Sequence, residues 1–254
     1  MSLQVSALLT SITVAKQDTN RRSANFHPSI WGDHFLSYAC NSVESDDTKT
    51  LQELKDEIKK MLFSKVNRPI DKLGLIDEIQ LLGVSYHFET EIDELLDQIY
   101  QLHQDSDSKD DNDTYISILL NFDYLDNMVI EFPVFRDSNG NFKASLMEDI
   151  QGLLSFYETT NLRGTEKTIL DEALVFTTTH LEPIATELST PLAAQVKHVL
   201  NQPLYRGLTR LEARHYMTIY QEESSHDQVL LTFAKLDYNI LQKLHQKELS
   251  GIFK

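Results

Sequence analysis

An all-α fold is predicted for this chain of 254 residues by three observations. Apolar side chains recur at three- and four-residue intervals along most of its length, the spacing that puts them on one helix face. No stretch shows the convincing alternation of a half-buried strand. Only 8 Gly and 6 Pro interrupt the pattern, which favours long helices over many short elements. Hydrophobic residues are 41% of the chain, enough for a real core at this length. No segment has the composition of a linker and no repeat is evident, so one main domain is expected.

Residues 1–20 are rich in Ser and Thr and hold Lys16 but no Arg. Their apolar stretch from Leu3 to Val14 is broken by Gln4, Ser6, Thr10, Ser11 and Thr13, too short and polar for a membrane span. It lacks the basic start of a secretory signal and the arginine content of a transit peptide, so a disordered lead-in in a cytoplasmic protein is expected.

Residues 41–50 read as a polar loop ending in a helix cap. Leu51, Leu54, Ile58, Met61 and Leu62 then share a helical face, and Arg68-Pro69 breaks that helix. Leu73, Ile76, Ile79 and Leu82 mark a second helix ended by Gly83, and Ile92, Leu95, Leu96, Ile99 and Leu102 a third. Asp105 to Asp113 is an acidic loop, and Asp137-Ser-Asn-Gly-Asn141 a turn. Helical spacing returns with Leu146, Ile150, Leu153, Leu154 and Tyr157, and again with Ile169, Ala173, Leu174 and Phe176. Pro183 and Pro191 are expected to bracket a connection. Leu192, Val196, Val199 and Leu200 form the next stripe, closed by Pro203. Leu208–Tyr220 and Val229–Leu249 complete the set, the last with Val229, Phe233, Leu236, Ile240 and Leu244 in register. The sum is about eight to ten helices joined by short turns.

The charge balance excludes several functions. With 23 Lys+Arg against 39 Asp+Glu the net charge is −16, which disfavours nucleic acid and anionic membrane surfaces as partners. A lone cysteine, Cys40, cannot staple the chain internally, which fits a reducing compartment.

Catalytic templates are missing. Gly164-Thr-Glu-Lys-Thr168 has one glycine where a phosphate loop needs more, and neither a nucleophile elbow nor a zinc-binding His-Glu-x-x-His occurs. Glu222 with His226, and His180 with Glu182, read as surface polar pairs, since no third ligand is near in sequence. Asp110-Asp-Asn-Asp113 and Asp46-Asp47 with Glu53 read as solvated loops, because their spacing does not aim two carboxylates at one metal from a helix.

Arg21-Arg22, eight residues and then Trp31 make a basic arm with an aromatic anchor. This resembles the arginine-arginine-tryptophan motif of plant mono- and sesquiterpene synthases. Four further blocks look like the same family: residues 79–92 (from Ile79-Gln-Leu-Leu-Gly), 171–181 (from Asp171-Glu-Ala-Leu), Leu211-Glu-Ala-Arg-His-Tyr216, and 234–249 (from Ala234-Lys-Leu-Asp). The resemblance covers roughly residues 21–249 and implies an amino-terminal α-barrel of paired antiparallel helices. It implies an active-site lid role for Arg21, Arg22 and Trp31, and no catalytic or metal-binding residue in this sequence. For the full-length family it implies Mg²⁺ (or Mn²⁺) as cofactor. The lead-in favours the sesquiterpene branch, with farnesyl diphosphate as substrate.

Two departures shape the expectation. The family's Asp-Asp-x-x-Asp and Asn/Asp-Asp-x-x-Ser/Thr-x-x-x-Glu motifs are not found, and Asp46-Asp47 with Thr50 has Leu54 where glutamate is required. Residues 250–254 are expected to be a short tail, and the chain a truncated synthase, inactive on its own. The alternative is a non-catalytic module that associates with full-length terpene synthases. Residues 113–135 depart from the family's basic helix: no Lys or Arg occurs between Asp110 and Phe135.

Overall fold

Caps and prolines set the helix boundaries. A computed structural model describes residues 30–32, 34–36, 45–64, 68–104, 136–161, 168–187 and 190–252. Among them run eight α-helices: α1 Ser45–Leu62, α2 Pro69–Leu81, α3 Glu89–Gln104, α4 Ile150–Thr160, α5 Thr168–Glu187, α6 Pro191–Asn201, α7 Thr209–Tyr220 and α8 Gln228–Ile252. Single 3₁₀ turns sit at Ser85–His87, Ala144–Met147 and Leu204–Arg206. The Arg68 amide donates to Asp71 Oδ2 at 3.1 Å ahead of Pro69, the first residue of α2. Asp149, Thr190 and Asp227 each accept an amide of the first turn of α4, α6 and α8, at 3.0, 3.2 and 2.9 Å. Gly83 ends α2 with φ +71°, the left-handed conformation a glycine adopts freely.

The fold is all-α, as the periodicity predicts, and of the barrel type of paired antiparallel helices that the resemblance implies. Among the described residues the β-type pairing is a single bridge, Arg136 to Phe142, closing the 137–141 turn. Asp137 Oδ1 accepts the Asn139 and Asn141 amides there, at 2.8 and 2.9 Å.

The apolar side chains form two cores. The first joins α1, α2, α3, α7 and α8 around Ile58, Leu73, Ile76, Phe88, Tyr220 and Phe233, all without solvent exposure. The second joins α4, α5 and α6 around Leu153, Leu154, Leu181 and Val196. Helix α7 links them, packing on α6 to one side and α8 to the other, while α8 returns to lie along α1. Burying each of these large side chains contributes about 1.5–3 kcal/mol, so the apolar stripes decide which helix faces meet.

Three expectations are corrected. Residues Ser45–Thr50 are helical rather than loop. Asp46 and Asp47 lie in the first turn, where carboxylates favour a helix, and Asp47 Oδ2 pairs with Lys243 Nζ of α8 at 2.9 Å. Pro183 sits inside α5, which continues to Glu187. A proline removes one helical hydrogen bond, but Leu181 is fully buried in the second core, and packing outweighs that loss. Pro191 does begin a helix. Leu146 lies in a 3₁₀ turn ahead of α4 rather than in the helix itself.

Candidate functional site

Two polar clusters stand out, both built from side chains that the helix stripes would reserve for apolar residues. The first lies in the core of α8. Asp237 is 2% exposed and stands four residues after the buried Phe233. Its Oδ1 accepts the Tyr86 hydroxyl at 2.5 Å and faces His87 Nε2 at 2.9 Å. Its Oδ2 accepts both terminal nitrogens of Arg210, at 3.2 Å each, and Arg210 Nη1 also donates to the Gly83 carbonyl at 3.3 Å. Burial pushes the Asp237 carboxyl upward, but the hydrogen bonds from His87 and Tyr86 and the charges of His87 and Arg210 outweigh it and hold it below the usual carboxylate range. The Tyr86 hydroxyl is pushed up by burial and by its bond to Asp237. This cluster ties the end of α2 to α7 and α8.

The second cluster lies around a small pocket where α2, α4, α6 and α7 converge. Glu158 of α4 is 5% exposed, and both its oxygens lie 3.1 Å from the Leu204 amide. Burial raises its carboxyl to about 7 against the Leu204 bond, with the charges of Asp77 and Glu212 adding to the rise. Asp77 of α2 is 8% exposed and is likewise raised to about 7 by burial, then by Glu78, against a side-chain bond from Gln151. Across the pocket His198 Nε2 meets Glu212 Oε2 at 2.5 Å. The His198 ring stacks on His215 with centroids 3.7 Å apart at 29°. Burial, then the charge of His198, holds His215 below its usual range. Burial among packed helices favours the protonated forms of these acids, and Glu158 also accepts a backbone amide.

The groups predicted from sequence are scattered. Trp31 is 55% exposed, with its ring 5.6 Å from Phe35 and 6.2 Å from His34. Arg21, Arg22, Cys40, Gly164 and Asp110–Asp113 lie outside the described residues. His226 Nδ1 bonds the Glu223 carbonyl at 2.6 Å and its Nε2 faces Gln228 Oε1 at 3.3 Å, while His180 Nδ1 bonds the Phe176 carbonyl at 2.7 Å. Each histidine is engaged locally by a group other than the acid it neighbours in the sequence patterns, His226 by Glu223 and Gln228 and His180 by Phe176.

The resident acids do not fit the Mg²⁺ that the resemblance implies. Burial favours the protonated forms of Asp77 and Glu158, Asp47 is paired with Lys243, and Asp237 is occupied by three donors. Among the described residues no three His, Cys, Asp or Glu side chains converge to hold a metal ion.

Sequence reasoning missed Asp77, Glu158 and Asp237. A signal was present: each follows a buried core residue, Leu73, Leu154 or Phe233, by four positions, so each is an acid on an apolar stripe.

Known proteins match this geometry. Residues 30–200 match the family description "Terpene synthase, N-terminal domain". The chain is 50% identical to a Ricinus communis protein described as "Probable terpene synthase 2", over 98% of the chain and 46% of that protein. It is 49% identical to (-)-germacrene D synthase of Vitis vinifera, over 99% of the chain and 46% of that enzyme. It thus spans about half the length of the curated relatives it matches. Among solved structures, isoprene synthase from grey poplar leaves superposes with TM-score 0.70 at 31% identity, over 88% of the chain and 42% of that structure. That enzyme has also been solved with three Mg²⁺ ions and dimethylallyl-S-thiolodiphosphate. With two-thirds of its length matching the family and its helices superposing on a solved member, the chain belongs to the terpene synthase family, within that family's amino-terminal domain.

Proposed function

We propose that residues 21–249 form the non-catalytic amino-terminal domain of a cytoplasmic sesquiterpene-forming synthase, with residues 1–20 a lead-in; of the expected tail at 250–254, residues 250–252 continue α8. The reaction of the whole enzyme is the Mg²⁺-dependent ionisation and cyclisation of farnesyl diphosphate. The observation that carries this reading is the likeness to (-)-germacrene D synthase along nearly the whole chain. Diphosphate and metal binding are assigned to a part of the enzyme outside these 254 residues, because the sequence holds neither metal-binding motif of the family. Among the described residues no helix is long and apolar enough to cross a membrane.

Arg21, Arg22 and Trp31 are assigned to the active-site lid. This assignment rests on the resemblance of the Arg21-Arg22 and Trp31 spacing to the family motif. A second reading, a module that associates with full-length terpene synthases, draws on Leu208 and Leu211. These are 71% and 57% exposed, one turn apart at the start of α7. Co-purification with a family member separates that reading from the first.

The deciding experiment incubates the purified 254-residue chain with farnesyl diphosphate and Mg²⁺ and analyses volatile products by gas chromatography and mass spectrometry. No terpene above the metal-free control is expected. A cyclic terpene that disappears on chelation would overturn the assignment of catalysis to another part of the enzyme.

A further inference from the structure

The small pocket between α2, α4, α6 and α7 is lined by acceptors that the fold leaves unused. Two of them are acids set against one short turn. Glu158 of α4 accepts the Leu204 amide, which lies 3.1 Å from both its oxygens, so a single donor serves the whole carboxylate. Glu212 of α7 lies over Gly207, just past the turn, where a Cβ would stand 2.7 Å from its Cγ. Glycine therefore makes the room that the Glu212 side chain occupies. Glu212 stands in the first turn of α7, where the helix dipole favours a negative charge. Its Oε2 meets His198 Nε2 at 2.5 Å, and its Oε1 has no hydrogen-bond partner among the described residues.

Gln195 of α6 supplies the third acceptor. It lines the same pocket and is 5% exposed. Among the described residues its carboxamide has no hydrogen-bond partner. Buried carboxamides are ordinarily hydrogen-bonded, so this one calls for a polar group in the pocket. The rest of the lining is largely apolar, with Leu81, Val199 and Ile219 among the walls. The cavity measures about 30 Å³ and is not sealed, since the exposed His215 is part of its lining. That volume takes about one or two groups the size of a water molecule.

Charge and size select the ligand. Arg206, the cation of the turn, is exposed and does not line the pocket. An anion would meet Glu212 and Glu158 without compensation. A metal ion lacks ligands, because among the described residues no three His, Cys, Asp or Glu side chains converge. A primary ammonium carries three N–H donors in little more than the space of a water molecule. An alkyl stem behind it suits apolar walls, as a lysine stem does.

We propose that this pocket binds a primary ammonium on a short unbranched alkyl chain, held by the carboxylates of Glu158 and Glu212 and by Gln195 Oε1.

Burial raises the Glu158 carboxyl to about 7, and a cation beside it draws it back toward the charged form. Binding is therefore best read at about pH 8, where Glu158 is ionised and an alkylamine keeps its proton.

The test titrates the isotopically labelled chain with n-butylammonium chloride at that pH and follows amide proton–nitrogen NMR spectra. Saturable shifts are expected for the Leu204 and Gly207 amides, the first turn of α7 and the Gln195 side-chain amide. Tetramethylammonium keeps the charge but has no N–H donor, and n-butanol keeps the stem without the charge. Each is expected to need at least about tenfold more ligand for the same shift, because each lacks the charge-assisted hydrogen bonds. Glu212→Gln is expected to weaken butylammonium binding by at least about tenfold for the same reason. No saturable shift, equal potency of either control, or unchanged affinity in Glu212→Gln overturns the proposal. If that variant fails to fold, Gly207→Ala replaces it, since the new Cβ displaces the Glu212 side chain. The same loss is expected there, and unchanged affinity again overturns the site. Nα-acetyl-lysine methylamide identifies the source of the ammonium once butylammonium binds. Matching shifts assign it to a lysine side chain and their absence to a free amine, and the site stands in both cases.

Discussion

The two cores solve the same problem, satisfying polar groups inside a helical protein, in different ways. In the first, polar bonds bridge distant parts of the chain. Tyr86 reaches Asp237 across 151 residues, Tyr220 donates to Glu78 across 142, and Lys243 meets Asp47 across 196. In the second, hydroxyls turn back on their own helix. Thr159 donates to the Ser155 carbonyl, Thr160 to Tyr157 and Thr177 to Ala173, each three or four residues away. Local bonds satisfy a hydroxyl wherever its helix packs, whereas long-range bonds require one arrangement of helices. The first core is therefore pinned in register largely by its long-range polar bonds, and the second largely by apolar packing, with the Glu158 bond to the Leu204 amide as a non-local addition.

The largest effect that sharpens this contrast is expected from Asp237→Ala. It strands Arg210, Tyr86 and His87 in the first core and should cost about 3–5 kcal/mol, the usual penalty for removing one member of a buried ion pair. Urea denaturation checks the magnitude. Hydrogen exchange checks the location: protection should fall in α1–α3 and α8 while α4–α6 keep theirs. Equal loss in both halves would show that the cores unfold as one unit and would remove the contrast.

A smaller effect is expected from Gly83→Ala, which tests the junction of α2 with α7. The added Cβ would lie 2.7 Å from Ala213 Cβ, at φ +71°. Backbone strain of this kind costs about 1–3 kcal/mol. Because Arg210 bonds the Gly83 carbonyl, the loss should be less than additive with Asp237→Ala in a double-mutant cycle. Full additivity would mean that the Gly83 turn and the Asp237 cluster act independently.

Lys243→Ala should have the smallest effect. Its pair with Asp47 crosses from α8 to α1, but both side chains are about one-third exposed, at 34% and 29%. Solvent screening leaves such a pair worth about 0–1 kcal/mol. A thermal midpoint nearly equal to that of the natural chain is the expected result. A loss comparable to Asp237→Ala would mean that the α1–α8 contact, rather than the buried network, holds the first core in register.

Much of this fold was legible in the sequence. The stripe Leu73, Ile76, Ile79 and Leu82 became the buried face of α2, and Val229 and Phe233 turn α8 toward the first core. Gly83 and Pro203 stood just beyond helix ends as their chemistry requires. The departures at Ser45–Thr50 and Pro183 share one cause. Local polarity and proline chemistry argued against helix, and contacts with distant helices overrode them. Asp77, Glu158 and Asp237 were harder to read, since an acid on an apolar stripe is visible in sequence but its partner is not.

By itself, then, the sequence determined the all-α class, the positions of most helices, the apolar faces and the family to which the chain belongs, because each depends on residue type at short spacing. Only the tertiary structure decided which acids are buried, which of them meet cations and which keep their protons. A carboxyl's state depends on burial and on neighbours such as Tyr86, which lies 151 residues from Asp237 along the chain and 2.5 Å from it in space.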